Sequence, residues 1–140
     1  MRRVSTLSAV VVVVLFARVL AQAPIPAALR DAKTAYLVNE AGDVGRFDRI
    51  ARELREWGRF TLVERMTEAD IVIVLTHQSA GMVGTVNPYG GVVMGRAMRL
   101  ALVVRDRATA EPLWHDTTPR VGGAPRLVER LRETLEPKKR

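Results

Sequence analysis

The chain has no cysteine. Disulfide stapling, thiol chemistry and thiolate metal sites are excluded. The cysteine that a bacterial lipid anchor needs near the cut site is missing too. Histidine is nearly as scarce, with His77 and His115 alone. Lysine occurs three times against nineteen arginines, a bias we attribute to genome composition. Neither G-x-G-x-x-G nor G-x-x-x-x-G-K-[ST] occurs, so no nucleotide cradle is expected. Asp43, Asp48 and Asp70 do not form the alternating oxygen ladder of a calcium loop.

What is present begins with a long apolar run. Arg2 and Arg3 precede an apolar stretch from Leu7 to Leu20, interrupted by Arg18 and followed by small residues at Ala21 and Ala23. That order is expected of a secretory signal peptide over residues 1–21. A membrane-spanning helix needs about 20 apolar residues, more than Arg18 leaves. Removing Arg2, Arg3 and Arg18 with the segment lowers the net charge from +7 to +4. Most of the remainder lies in the basic tail, 137–140, which holds Lys138, Lys139 and Arg140. The folded body, residues 22–136, is therefore near neutral, and a nucleic-acid surface is not expected. The tail could touch anionic lipid. The product is expected to be periplasmic or secreted.

Residues 22–136 read as one α/β (α+β) domain: a single mixed sheet of about five strands, order β-α-β-β-β-β-α, with two amphipathic helices packed on it. Thr34–Asn39 is β-prone. In 43–58 the apolar residues Val44, Phe47, Ile50, Ala51, Leu54 and Trp57 fall three and four apart, which predicts a one-faced helix. Asp43 is placed to cap its start and Gly58 to end it. Asp48 with Arg52, and Arg49 with Glu53, have i,i+4 pairing distance. "FTLVE" (60–64) is the next strand. Thr67, Glu68 and Asp70 suit a surface turn. Ile71 to Leu75 show no alternation, and four of the five are β-branched. That suits a central strand, covered on both faces or sandwiched between neighbours.

Thr76–Gly91 holds four glycines and a proline and reads as a long exposed crossover or hairpin loop. Val92–Asp106 and Glu111–Thr118 are expected to form an antiparallel hairpin at one side of the sheet. A final helix carries Leu127, Val128, Leu131 and Leu135, with Pro125 near its start.

Chemical constellations are thin. His77, His115 and Asp116 could supply three metal ligands only if the fold gathered them, and their spacing does not require it. His77 with Ser79 lacks the nucleophile-elbow sequence. Gly81-Met82-Val83-Gly84 has the letters of a G-x-x-G clamp, but follows a strand and contains no basic residue. No metal and no cofactor are expected. The candidate contact residues are Met82, Val83 and Tyr89 in the glycine-bearing segment, with Arg96 and Arg99 nearby.

Ala69-Asp70 opening an apolar strand, and Asp106…Thr109-Ala110-Glu111…Trp114 joining late strands, give the chain a family likeness. It resembles small bacterial envelope domains such as the amino-terminal domain of TolB and the cores of outer-membrane assembly lipoproteins. There the late turn usually carries glycine where this chain has Ala110. The likeness runs from about Thr34 to Leu135. It implies a non-enzymatic envelope domain that binds another envelope protein or works in an assembly. Two alternatives stay open: a small hydrolase using His77 or His115, and an anionic lipid or nucleic-acid binder acting through the tail.

Overall fold

The computed structural model describes residues 24–119 and 123–138. The expected signal segment and the last two tail residues lie outside that set. The elements are α1 (Ala27–Asp31), β1 (Thr34–Asn39), α2 (Val44–Trp57), β2 (Thr61–Leu62), a 3₁₀ turn (Met66–Glu68), β3 (Ile71–Val86), β4 (Val92–Asp106), β5 (Pro112–Pro119) and α3 (Ala124–Leu135). The strands form one sheet in the order β2-β1-β3-β4-β5. β1 is parallel to β2 and β3, while β3–β4 and β4–β5 are antiparallel. This is the single mixed α+β sheet expected, with α1 as an added short helix.

The pentad that defied alternation lies in the central strand. All of Ile71 to Leu75 are buried. Ile71, Ile73 and Leu75 face a core shared with Leu100, Leu102 and Val104 of β4, Ile50 and Leu54 of α2, Leu127, Val128 and Leu131 of α3, and Leu29 of α1. The helices therefore cover one face. On the other, Val72 is flanked in register by Tyr36 and Arg105, and Val74 by Val38 and Val103. Val72 and Val74 are buried on that face as well, at 8% and 3% exposure.

The helix α2 begins and ends where its sequence dictates. The Asp43 carboxylate accepts from the Arg46 N–H at 3.0 Å, and Gly58 takes the left-handed conformation (φ +70°), its N–H donating to the Leu54 carbonyl at 3.1 Å. Two expectations on its surface need correction. Val44 is 66% exposed and not part of the core stripe. The pairs Asp48–Arg52 and Arg49–Glu53 are not formed, whereas Asp43 pairs with Arg46 at 2.8 Å. Solvent screening leaves surface pairs little free energy to hold extended side chains together.

Asp70 ties the pentad to the neighbouring strand. Its Oδ2 accepts from the backbone N–H groups of Lys33 (2.8 Å) and Thr34 (3.1 Å), and its own N–H donates to the Thr34 hydroxyl at 2.9 Å. Those backbone donors, Lys33 first, hold the carboxyl below the usual carboxylate range. α3 is tied to β5 by Arg130, which donates to Asp116 at 2.8 Å and to the Thr117 carbonyl at 3.3 Å.

The β4–β5 turn holds the one non-glycine residue with positive φ among the described residues, Ala110 at +60°. Asp106 Oδ1 accepts from Ala108 (2.7 Å) and Thr109 (3.0 Å), and Ala110 N–H closes the turn on the Asp106 carbonyl at 2.9 Å. The left-handed region costs an L-residue roughly 1–2 kcal/mol, while glycine loses about 0.5–1 kcal/mol of chain entropy. Ala110→Gly is therefore expected to stabilise the domain by about 0.5–1 kcal/mol, raising Tm by roughly 2–5 °C in a thermal melt. A fall in Tm would show that the turn carries no such strain.

Candidate functional site: an apolar β arm

The Thr76–Gly91 segment is not a loop. β3 continues unbroken past Leu75 to Val86, and β4 returns from Val92, so only the short connection 87–91 turns the chain. β1 follows β3 no further than Asn39 opposite Leu75, and β5 follows β4 no further than Pro119 opposite Arg99. Beyond those points the two strands form a ribbon paired only with itself among the described residues. From Ser79 to Val86 the ribbon extends about 23 Å, at about 3.3 Å per residue.

The connection is built for this reversal. Gly90 N–H donates to the Asn87 carbonyl at 3.0 Å, with Pro88 and Tyr89 between, and Gly90 has φ +82°. This is a turn with proline at its second position, followed by a left-handed glycine. The Asn87 side-chain oxygen accepts from Tyr89 N–H (3.0 Å) and Gly91 N–H (2.8 Å). Nearer the body, Ser79 pairs with Met98 and Met82 with Arg96, so Ala80 and Gly81 together oppose Ala97. That bulge uses Gly81 at φ +98°.

The register decides which side chains share a face. Met82, Gly84 and Val86 pair with Arg96, Met94 and Val92, and Ser79 with Met98. One face of the ribbon is thus Met82, Val86, Val92, Met94 and Met98, interrupted by Arg96. A Cβ at Gly84 would lie 3.1 Å from the Met94 Sδ and 3.4 Å from Val92 Cγ1, so both side chains fold over that glycine. The opposite face carries Val83, Thr85, Val93 and Arg99. Met82, Val83, Val86, Tyr89, Val92, Val93, Met94 and Met98 are all exposed, Tyr89 to 96%. None belongs to the core.

Four of the five candidate contact residues lie on this arm, Met82 and Val83 on β3, Tyr89 at the apex and Arg96 on β4, and Arg99 sits at its root, where β5 still pairs. Met82 and Arg96 are direct cross-strand partners. Val86, Val92, Val93, Met94 and Met98 were missed. Alternating apolar residues on both sides of Asn87-Pro88-Tyr89-Gly90 are the hairpin signal that could have found them.

The histidines do not converge. His77 pairs with Leu100 and shares the helix face of the sheet, whereas His115 pairs with Val103 and projects from the other. His77 Nε2 is buried with no hydrogen-bond partner, and His77 makes no ion pair with a described acid. Asp116, the third ligand or acid considered, is held by Arg130. Among the described residues no three His, Asp or Glu side chains lie close enough to hold a metal ion. Gly81 and Gly84 serve the bulge and the close approach of Met94, not a loop between two helices. Surface depressions of about 320 to 570 Å³ run beside α2 and α3, and neither histidine lines these. No described helix is long and apolar enough to cross a membrane.

No protein-family model matches the chain, and no curated protein matches it in sequence. Solved structures that match include the PelC dodecamer from Paraburkholderia phytofirmans, at 16% identity and a TM-score of 0.42 over 83% of this chain and 94% of that one. A point variant of that dodecamer matches at 17% identity and a TM-score of 0.41, over 81% and 94% of the two chains. Likeness of that degree transfers neither activity nor assembly.

Proposed function

We propose that the chain is a non-catalytic docking domain of the bacterial envelope or of the secreted space, and that its arm makes the contact. One observation carries this reading. Eight large apolar side chains are exposed on an element that adds nothing to the core. Monomeric soluble proteins rarely expose contiguous apolar patches beyond a few hundred Å² unless the patch binds something. The envelope placement rests on the signal-like start and on the resemblance to envelope domains.

The partner proposed for the shaft of the arm is another envelope protein. Both strand edges there are unpaired among the described residues, β3 after Leu75 and β4 before Arg99. Such edges accept an added strand through main-chain hydrogen bonds, with alternate side chains setting specificity.

A photoreactive residue in place of Gln78 or Met82, on the shaft, tests this in living cells. A discrete protein adduct is expected from both positions and none from Val44, which is equally exposed on α2. Adducts of the same size and yield from all three positions, or none from the shaft, would overturn the reading.

A further inference from the structure

We infer that the tip of the arm, Val83–Gly95, docks on an anionic lipid surface, with Arg96 and Arg99 as its headgroup-binding collar. This goes beyond the protein contact proposed for the shaft, though it shares the premise that the arm is the docking element.

Charge is the first support. The thirteen residues from Val83 to Gly95 include no charged side chain, and no acidic residue occurs between Asp70 and Asp106. Arg96 and Arg99 are exposed and make no ion pair with a described residue. A protein interface gains specificity from charges of both signs set against their opposites. An arm with only cations, placed behind an uncharged tip, complements a surface that is uniformly negative outside and apolar within.

The axial order is the second. Val86 and Val92 pair beside the turn, and Met82 and Arg96 pair four residues further back. The uncharged zone is therefore about 13 Å deep at roughly 3.3 Å per residue. Interfacial elements bury their apolar face about 5–10 Å into the headgroup and acyl boundary. Arg96 then lies at headgroup height when Tyr89, Val86 and Val92 reach the acyl boundary. Tyr89 at the apex has the amphipathic ring favoured at that level.

The apex backbone is the third. Away from water, an unpaired N–H is costly. Asn87 N–H donates to the Gly91 carbonyl at 2.8 Å, Gly90 N–H to the Asn87 carbonyl, and Tyr89 and Gly91 N–H to the Asn87 side chain. Pro88 has no N–H. Every backbone donor of the turn is satisfied within the turn, so the apex can lose its water without leaving one orphaned.

The test uses the chain from Gln22 onward, whose described core and the residues packed against it run from Ile25 to Leu135, with circular dichroism confirming the fold of each variant. It is mixed with vesicles of phosphatidylglycerol and phosphatidylethanolamine, or of phosphatidylcholine alone, and sedimented. Binding is expected to the anionic vesicles and to weaken with salt. The triple variant V86S/Y89S/V92S should lose at least about tenfold in affinity, and R96Q/R99Q should lose most of the salt dependence. Deleting Pro137–Arg140 should change neither. Equal binding to phosphatidylcholine, a triple variant that binds like the parent, or loss on deleting the tail would each overturn the proposal. Absent vesicle binding would also overturn it; shaft adducts retained in cells would then leave the protein-docking reading standing and identify the tip as part of that interface.

Discussion

Ile73→Ala is expected to cost about 2–5 kcal/mol, a large share of the roughly 5–15 kcal/mol that typically holds a domain of this size. Ile73 is the middle residue of the pentad and only 1% exposed. Leu37 of β1 and Val104 of β4 flank it in the sheet. Above it lies the layer formed by Ile50, Leu54, Leu127 and Leu131. Removing three carbons there forfeits their transfer free energy and leaves a cavity that neighbours fixed by two strand ladders cannot close. Tm should fall by on the order of 10–20 °C. Val93→Ala makes the control. Val93 is a β-branched residue in the same sheet, but it is exposed on the arm, so its truncation should stay within about 0.5 kcal/mol. Equal losses at the two positions, measured by urea unfolding, would show that the arm belongs to the folded core and is not free for docking.

Excising the arm should have the opposite signature: no loss of stability and complete loss of docking. Ser79 and Met98 are register partners. Replacing Ala80–Ala97 with Asn-Gly would join them by a two-residue turn whose twist suits the flanking strands. The shortened chain keeps every core residue and the full sheet order. Its Tm should stay within a few degrees of the parent, and its solubility should rise because the exposed apolar ribbon is gone. A two-stranded ribbon alone is marginally stable in water, so its removal forfeits little. Photo-adducts and vesicle binding should both vanish. A shortened chain that unfolds well below the parent would assign the arm to the architecture, and one that still docks would move the contact to another surface.

Both results depend on a boundary inside β3 that the residues mark only faintly. Ile71 to Leu75 declare themselves, since five consecutive apolar side chains need cover on every side. The next eleven residues include Gly81, Gly84, Gln78, Ser79 and Thr85, a composition shared with loops. Strand propensity is weak and set by context. What makes Thr76–Val86 a strand is the ladder to β4, whose residues lie up to 35 positions away, from Ile71 opposite Asp106 to Val86 opposite Val92. The five contact candidates were found through irregularity and exposure. Their arrangement, with Met82 opposite Arg96 and Tyr89 at an apex, follows from register, and the bulge at Ala80 and Gly81 shifts that register by one residue.

The sequence by itself determined the local features. Asp43 and Gly58 bound α2 because a carboxylate can cap free N–H groups and glycine can turn left-handed. The stripes of α2 and α3 require a sheet beneath them, and the pentad identifies that sheet's middle strand. Tertiary structure alone decided that all the described helices lie on one face, that the hairpin outruns its neighbours to become an arm, and that His77 and His115 project from opposite sides of the sheet. Those outcomes depend on which distant strands pair and in what register, and a shift of one residue reverses the face of every side chain beyond it.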